Sequence, residues 1–361
     1  MKKEKTEKYH GKKKIAVRCI KIAAIILVVL VLFRIALFPP HKQPVVTGSH
    51  SVAIKEFTWE DVSRVETFTD TGENRMLTVK FWYPEEEGSY PLVVFSHGAF
   101  GVIDSNYSTC MELASNGYVV ASIAHPYHAM FVKDVNGKVT TVDMDFFRSV
   151  YEGSGTTDPE EEERNYLRFK EWMALRTADE NFVLDTILSK AEKDEDGPFR
   201  LIDSEKIGLF GHSMGGASSV AIGRQRDDID AVIDLEGTML GEYVGLENGI
   251  ELFNEDPYPV PILDVNSRAA HEAAEAQILE GYEYVNFYVG ENAVDYREVI
   301  FNDAGHLNFT DLPLQSPILA KMLGVGKVNA RTCIENVNDI VLTWFDYYLK
   351  DKGELDLKAE Y

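Results

Sequence analysis

GLFGHSMGGASS, residues 208–219, decides the fold. Its first residues complete an apolar run, KIGLF (206–210), of the length and character of a buried strand. Its last residues open a stretch of small side chains, GGASSVAIG (215–223), suited to a helix lying close on a sheet. Between the two sits Ser213, with Gly211 two residues before it and Gly215 two after. A serine in such a strand-to-helix corner holds a strained backbone that exposes its hydroxyl at the carboxyl edge of the sheet, and the glycines leave room for the turn. The first N–H groups of the following helix face an oxyanion formed there. Gly-x-Ser-x-Gly is a weak pattern alone; the strand before it and the small-residue helix after it give it weight. The bland alternative is a Gly-rich helix cap in which Ser213 serves only the backbone.

Outward from this corner the chain alternates strands and helices. Residues 76–84, 91–98, 118–126, 206–213, 231–237, 260–267 and 297–306 read as strands, and 107–118 and 333–350 as helices. This alternation predicts an α/β fold with a mostly parallel central sheet and helices on both faces. Residues 128–203 break the rhythm with no buried strand, a Gly/Thr/Glu-rich run at 152–165 and a helical period over 166–193. The acidic run 160–163 reads as solvated surface. Met130, Phe131, Phe146, Phe147 and Tyr151 form either a lid or acyl-pocket wall, or ordinary core beneath a long loop.

The N-terminus has another character. A basic head, MKKEKTEKYHGKKK, precedes twelve unbroken apolar residues, 22–33; Arg34 interrupts, and the run resumes to Phe38 before Pro39 and Pro40. As a helix, residues 22–38 span about 25 Å, enough to cross the hydrocarbon with Arg18, Lys21 and Arg34 snorkelling. The basic head keeps the N-terminus cytoplasmic, which puts the body outside the cytoplasm, at the cell membrane in a single pass. No small-x-small cleavage motif follows the run, so an uncleaved anchor is favoured over a removed signal peptide or a core helix. The expected division is a basic head at 1–21, a transmembrane anchor at 22–38, a tether at 39–55, and a catalytic domain at 56–361 with 128–203 as a lid-like insertion.

The formal net charge of −23 hides an asymmetry. Residues 1–42 hold eleven Lys and Arg against Glu4 and Glu7, which leaves the body at −32. So acidic a body argues against a nucleic-acid partner. Of three cysteines, Cys110 and Cys333 fall in the exported body; whether they pair is open. No Cys/His spacing suggests a metal, and no cofactor is expected.

A nucleophilic serine needs a base, and the base an orienting acid. His306 stands just beyond the last expected strand, after Gly305, and is the expected base. His10 lies in the head, His41 and His50 on the tether, His212 in the corner itself, His271 on a surface-like helix and His97 in a Ser-His-Gly turn, while His125 and His128 follow a strand end and are candidates for the pocket lining. The acid should follow a strand end between Ser213 and His306. Glu236, in VIDLEG, fits best; Asp234, Asp264 and Glu272 remain alternatives. Two backbone donors complete an oxyanion hole: Met214 N–H, next after the nucleophile, and Ala99 N–H in the turn FSHGAFG (95–101).

PLVVFSHGAFG, GHSMGGASS and AGHLNFTD, in this order, resemble the plasma and type II platelet-activating factor acetylhydrolases of the α/β-hydrolase superfamily, near bacterial dienelactone-hydrolase-like and polyester-hydrolase proteins. The resemblance runs from about Thr78 to Lys350 and extends to the closing SPILAKMLGVGKV segment. It implies an α/β-hydrolase fold with Ser213 as nucleophile, His306 as base, and Ala99 and Met214 as oxyanion donors. It places the acid at Glu236, where the family has Asp. It implies ester hydrolysis of short or oxidised acyl chains without calcium. Residues 128–203, which shape the pocket, diverge from the family. The expected function is therefore a membrane-anchored serine carboxylic ester hydrolase acting on short-acyl or phospholipid-like esters. The alternatives are a serine peptidase or acyltransferase on the same fold, or a non-catalytic surface binding protein.

Overall fold

The computed structural model describes residues 2–152, 159–247 and 249–361. Eight strands form the central sheet: β1 (Val52–Val65), β2 (Asn74–Pro84), β3 (Tyr90–Ser96), β4 (Val119–Ala124), β5 (Ile202–His212), β6 (Ala231–Leu235), β7 (Ile262–Ser267) and β8 (Tyr296–Phe301). They lie in the order β1-β2-β4-β3-β5-β6-β7-β8. Strand β2 runs antiparallel to β1 and β4; the neighbours from β4 through β8 are parallel. All seven strands expected from the sequence belong to this sheet.

Central strand β5 shows why the sheet forms. Its last six residues, from Ile207 to His212, are buried. Ile207 and Leu209 enter the core on one face, while Phe210 enters the core on the other, as a two-residue repeat requires. On the first face the sheet is covered by the helix Pro159–Glu192 and the helix Met214–Gln225, through residues such as Val183, Ile187, Val220 and Ile222. On the second it is covered by Tyr107–Ser115 and the closing helix Ala330–Lys350, through Leu113, Val337, Trp344 and Phe345. Cys110 and Cys333 are buried free thiols in these last two helices.

The residues expected to form the site follow strand ends. Strand β3 stops at Ser96, β5 at His212, β6 at Leu235 and β8 at Phe301, so His97, Ser213, Glu236 and His306 all follow the carboxyl ends of strands. This is the edge at which open α/β sheets carry their sites.

Several expectations change. The sequence reading assigned no strand to 52–65, because β1 lies at a sheet edge, is scarcely buried, and carries adjacent charged pairs at Lys55-Glu56 and Glu60-Asp61. It begins at Val52, inside the expected 39–55 tether. The residues just before it are docked as well: the backbone N–H and hydroxyl of Thr47 both donate to the Glu112 carboxylate. The helix expected over 166–193 is Pro159–Glu192, and a shorter one, Met144–Glu152, precedes it. Of the expected 152–165 run, residues 153–158 lie outside the described residues. Two short hairpins, Phe131–Lys133 with Val139–Thr141 and Tyr243–Glu247 with Ile250–Phe253, are too brief for periodicity to find. At the N-terminus one helix, Lys2–Leu37, runs across the expected 21/22 boundary. Its segment Arg18–Leu37 has mean hydropathy 2.8, is not buried, and is long and apolar enough to cross a membrane.

Candidate active site

Ser213 stands at the turn between β5 and the helix Met214–Gln225 with φ 56° and ψ −125°. A non-glycine residue held there stores about 1–3 kcal/mol of strain. The surroundings hold it in place. Ser213 N–H donates to Leu235 O at 2.9 Å, and Ser213 O accepts from Ala217 N at 3.0 Å. The flanking glycines are required by close approach: a Cβ on Gly211 would lie 2.2 Å from the Gly215 carbonyl carbon, and one on Gly215 only 2.0 Å from Ser96 O. The strand-to-helix corner read from the sequence is therefore built as expected.

His306 opens a single 3-10 turn, His306–Phe309, after β8. Its Nδ1 lies 2.9 Å from Glu236 Oε2. The imidazole is 46% exposed and the carboxylate 8%, so the ring faces an open site while its partner is enclosed. The other oxygen of Glu236, Oε1, accepts from Ser267 N–H at 3.1 Å and from the Ser267 hydroxyl. Glu236 itself holds φ 56°, a second strained residue at the site. His212 binds the two halves together. It neighbours Ser213 in the chain, its Nε2 donates to His306 O at 2.9 Å, and the two rings lie 4.5 Å apart. Burial, with His306 nearby, holds His212 well below the usual imidazole range, so it is neutral.

The alternative acids are engaged elsewhere. Asp234 Oδ1 accepts from Gly237 N–H at 2.8 Å, and Asp264 Oδ2 accepts from Tyr296 Oη at 2.9 Å and Asn286 Nδ2 at 3.2 Å. The two face each other across β6 and β7, in register. Burial and the mutual charge raise Asp234 well above the ordinary carboxyl range. Burial, with Glu298 nearby, raises Asp264 to about 7. Glu272 lies on the helix Arg268–Leu279.

The turn after β3 presses against the Ser213 corner. A Cβ on Gly98 would lie 3.1 Å from the Ser213 Cβ. Ala99 is half-buried in this turn, and Phe100 after it holds φ 61°. Met214 is the first residue of its helix, so its N–H has no intrahelical acceptor.

The aromatic residues of 128–203 divide. Met130 and Phe131 are exposed. Phe146 and Phe147 pack on Phe100 at 5.5 and 4.9 Å between ring centroids, and Tyr151 stacks on it at 6.0 Å. Of these, Phe146 and Phe100 join Trp172, Met173 and Met214 in a small apolar cluster next to Ser213 in the chain, while Tyr151 is exposed. Phe146, Phe147 and Tyr151 thus gather on Phe100, in the turn that follows β3. His125 and His128 do not line the pocket as expected: both are buried behind the turn, and burial together with Arg176 keeps them neutral, His125 down to about 3.

Sequence patterning gave no role to the buried charges that surround those histidines. Arg176, Asp179 and Glu180 sit on the apolar face of the helix Pro159–Glu192, and Arg75 meets Asp179 through two hydrogen bonds of 2.6 and 2.7 Å. The signal was present: Trp172, Met173, Arg176, Asp179, Glu180 and Val183 share one helical stripe at three- and four-residue spacing. Charges inside an apolar stripe are buried and therefore paired. Among the described residues no group of three or more His, Cys, Asp or Glu is placed to hold a metal ion.

The model of the family described as platelet-activating factor acetylhydrolase, isoform II, matches residues 41–182. The platelet-activating factor acetylhydrolase of Cavia porcellus is 24% identical over 270 residues, covering 72% of this chain and 58% of its own. The chain thus matches somewhat over half the length of that relative. Among solved structures, a ferulic acid esterase from Streptomyces cinnamoneus superposes with a TM-score of 0.64 at 22% identity, over 87% of this chain and 95% of that one. In sheet order and in these likenesses, the chain has the α/β-hydrolase fold and resembles the platelet-activating factor acetylhydrolases of isoform II.

Proposed function

We propose that the protein is a membrane-anchored serine carboxylic ester hydrolase with a Ser213–His306–Glu236 triad. The observation that carries this reading is the 2.9 Å contact of His306 Nδ1 with the enclosed Glu236 carboxylate, tied through His212 to the strained Ser213 corner. Ser213 Oγ attacks the ester carbonyl as His306 Nε2 takes its proton. Glu236 holds the imidazole with Nδ1–H inward and stabilises its cation. Ala99 and Met214 N–H groups bind the oxyanion. The leaving alkoxide takes the proton from His306, and water activated by the same ring releases the acyl group.

The likeness to acetylhydrolases and the aromatic wall of Phe100, Phe147 and Tyr151 favour short-acyl or phospholipid-like esters. The apolar segment Arg18–Leu37 and the basic residues before it support a single-pass anchor in the cell membrane. In this reading residues 1–21 stay cytoplasmic, 22–38 cross the bilayer, and the domain at 56–361, with its 128–203 insertion, lies outside. Neither a metal nor an organic cofactor takes part in these steps.

The test uses the full chain in detergent, with and without Ser213→Ala, on p-nitrophenyl esters of increasing acyl length and then on a phospholipid with a short sn-2 acyl chain. The reading expects hydrolysis that Ser213→Ala abolishes. A folded wild type inactive on every ester would move the assignment to a peptidase, an acyltransferase or a binding protein.

A further inference from the structure

Arg176 is fully buried, yet its guanidinium makes its hydrogen bonds to two backbone carbonyls and an imidazole. Nη1 donates to His97 O at 2.8 Å, Nη2 to Gly98 O at 3.4 Å, and Nε to His128 Nδ1 at 3.3 Å. Two of the three contacts fall on the turn that carries Ala99, and the third on a residue bonded to it. His97 O and Gly98 O belong to the two peptides just before it. His128 acts one step further on, since its carbonyl accepts Phe100 N–H at 2.9 Å. One side chain thus anchors the turn on both sides of Ala99.

Peptide geometry turns this anchoring into aim. Gly98 C=O and Ala99 N–H belong to one planar trans unit, so they point in opposite directions. Gly98 O is fixed toward the interior by three donors: Arg176 Nη2, Gly101 N at 3.0 Å and His97 Nδ1 at 2.7 Å. Ala99 N–H must then point away from those donors, and the Ser213 corner packs on the same glycine, its Cβ 3.1 Å from where a Gly98 Cβ would lie. A cation on the carbonyl end of a peptide also polarises that unit and strengthens its N–H as a donor. An oxyanion hole works because its donors are aimed before the charge develops.

We propose that Arg176 is the positioning residue of the oxyanion hole, orienting and polarising the Gly98–Ala99 peptide by holding the carbonyls on the far side of the turn. The proposal rests on the reading of Ser213 as the nucleophile. The guanidinium does not touch the substrate; it acts through the peptide. Burial pulls Arg176 down only to about 10, against the pull of Glu180 and Asp179, so the side chain stays cationic at neutral pH.

The test compares the full chain in detergent with Arg176→Met and Arg176→Lys. Two inhibitors of the same shape are used, a trifluoromethyl ketone that Ser213 converts to an anionic hemiketal and the matching methyl ketone that remains neutral. For Arg176→Met the proposal expects kcat to fall on the order of 100-fold with KM within about threefold, and affinity for the trifluoromethyl ketone to fall by a similar factor while the methyl ketone is unaffected. Arg176→Lys keeps the charge but cannot span both carbonyls, so it should lie between wild type and Arg176→Met; it also serves if Arg176→Met does not fold. Equal loss of affinity for both ketones would reduce Arg176 to a structural role and overturn the proposal, as would no loss for either. A wild type that fails to bind the trifluoromethyl ketone would instead refute the nucleophile reading beneath it.

Discussion

Glu236 and His306 are seventy residues apart in sequence and 2.9 Å apart in space. Each sits just beyond the end of a parallel strand, and the Glu236 carboxylate divides its oxygens between His306 and Ser267. Glutamate suits this division. Its extra methylene lets one oxygen reach the ring while the other stays on the backbone N–H of Ser267. Glu236→Gln keeps the shape but puts an amide where the ring needs an anionic acceptor. It should lower kcat by on the order of 10³–10⁴, as expected when the imidazole loses its tautomer and its counter-charge. Asp234→Asn and Asp264→Asn should stay within about tenfold of wild type, since neither carboxylate touches His306. Steady-state kinetics on one p-nitrophenyl ester decides between them, and a larger loss in Asp234→Asn than in Glu236→Gln would reassign the acid.

Buried carboxyls predict an unusual dependence of stability on pH. Burial raises Asp264 to about 7, with Glu298 adding to it, and raises Glu180 to about 7 and Asp311 to about 6 against the hydrogen bonds that oppose it. Unfolded carboxyls titrate near 4. Each group binds its proton more tightly in the folded state, so its contribution is full below about pH 4 and is lost as pH rises through 6 to 7. Thermal unfolding followed by circular dichroism should therefore show Tm falling across that window. Asp264→Asn should flatten the slope, and an unchanged slope would show that Asp264 is not protonated in the folded state.

The aromatic wall separates two effects. Phe147 is half-buried and packs against Phe100, next to Ala99, so Phe147→Ala should shift the preferred acyl chain toward longer lengths. Phe146 stacks on His128 at 3.7 Å, and His128 O holds Phe100 N–H. Phe146→Ala should therefore lower kcat at every chain length and cost about 3–5 kcal/mol of stability as a buried aromatic. Rates on acetyl through octanoyl esters distinguish the two patterns; identical profiles for both variants would dismiss the wall as a chain-length determinant.

Anchoring makes its own prediction. The full chain should remain in the membrane fraction after alkaline carbonate extraction. Leu27→Asp with Val31→Asp should release it, because each acidic group at mid-helix costs about 2.5–3.5 kcal/mol on insertion. Release of the wild-type chain under the same conditions would argue against a span.

Local sequence held much of this and for physical reasons. Strands buried on both faces, such as β5 and β7, announce themselves as continuous apolar runs, and a strand-end turn needs Gly or an exposed polar residue in an identifiable place. The placement of Ser213, Glu236 and His306 beyond strand ends is legible for that reason. Strand β1 was not, because this edge strand carries adjacent charged pairs, Lys55-Glu56 and Glu60-Asp61, that break both an apolar run and a two-residue alternation. The role of Arg176 was not either. Its partners are carbonyls of residues 97 and 98, nearly eighty positions away, and no local pattern records a contact made by a peptide oxygen.

The central claim is that Ser213 is the nucleophile, and peptide mapping after labelling with a fluorophosphonate tests it most directly. The account predicts one adduct, on the peptide carrying Ser213, absent from Ser213→Ala and suppressed by prior incubation with a short-acyl ester. An adduct on another serine, such as the buried Ser218, with ester hydrolysis intact in Ser213→Ala, would contradict it.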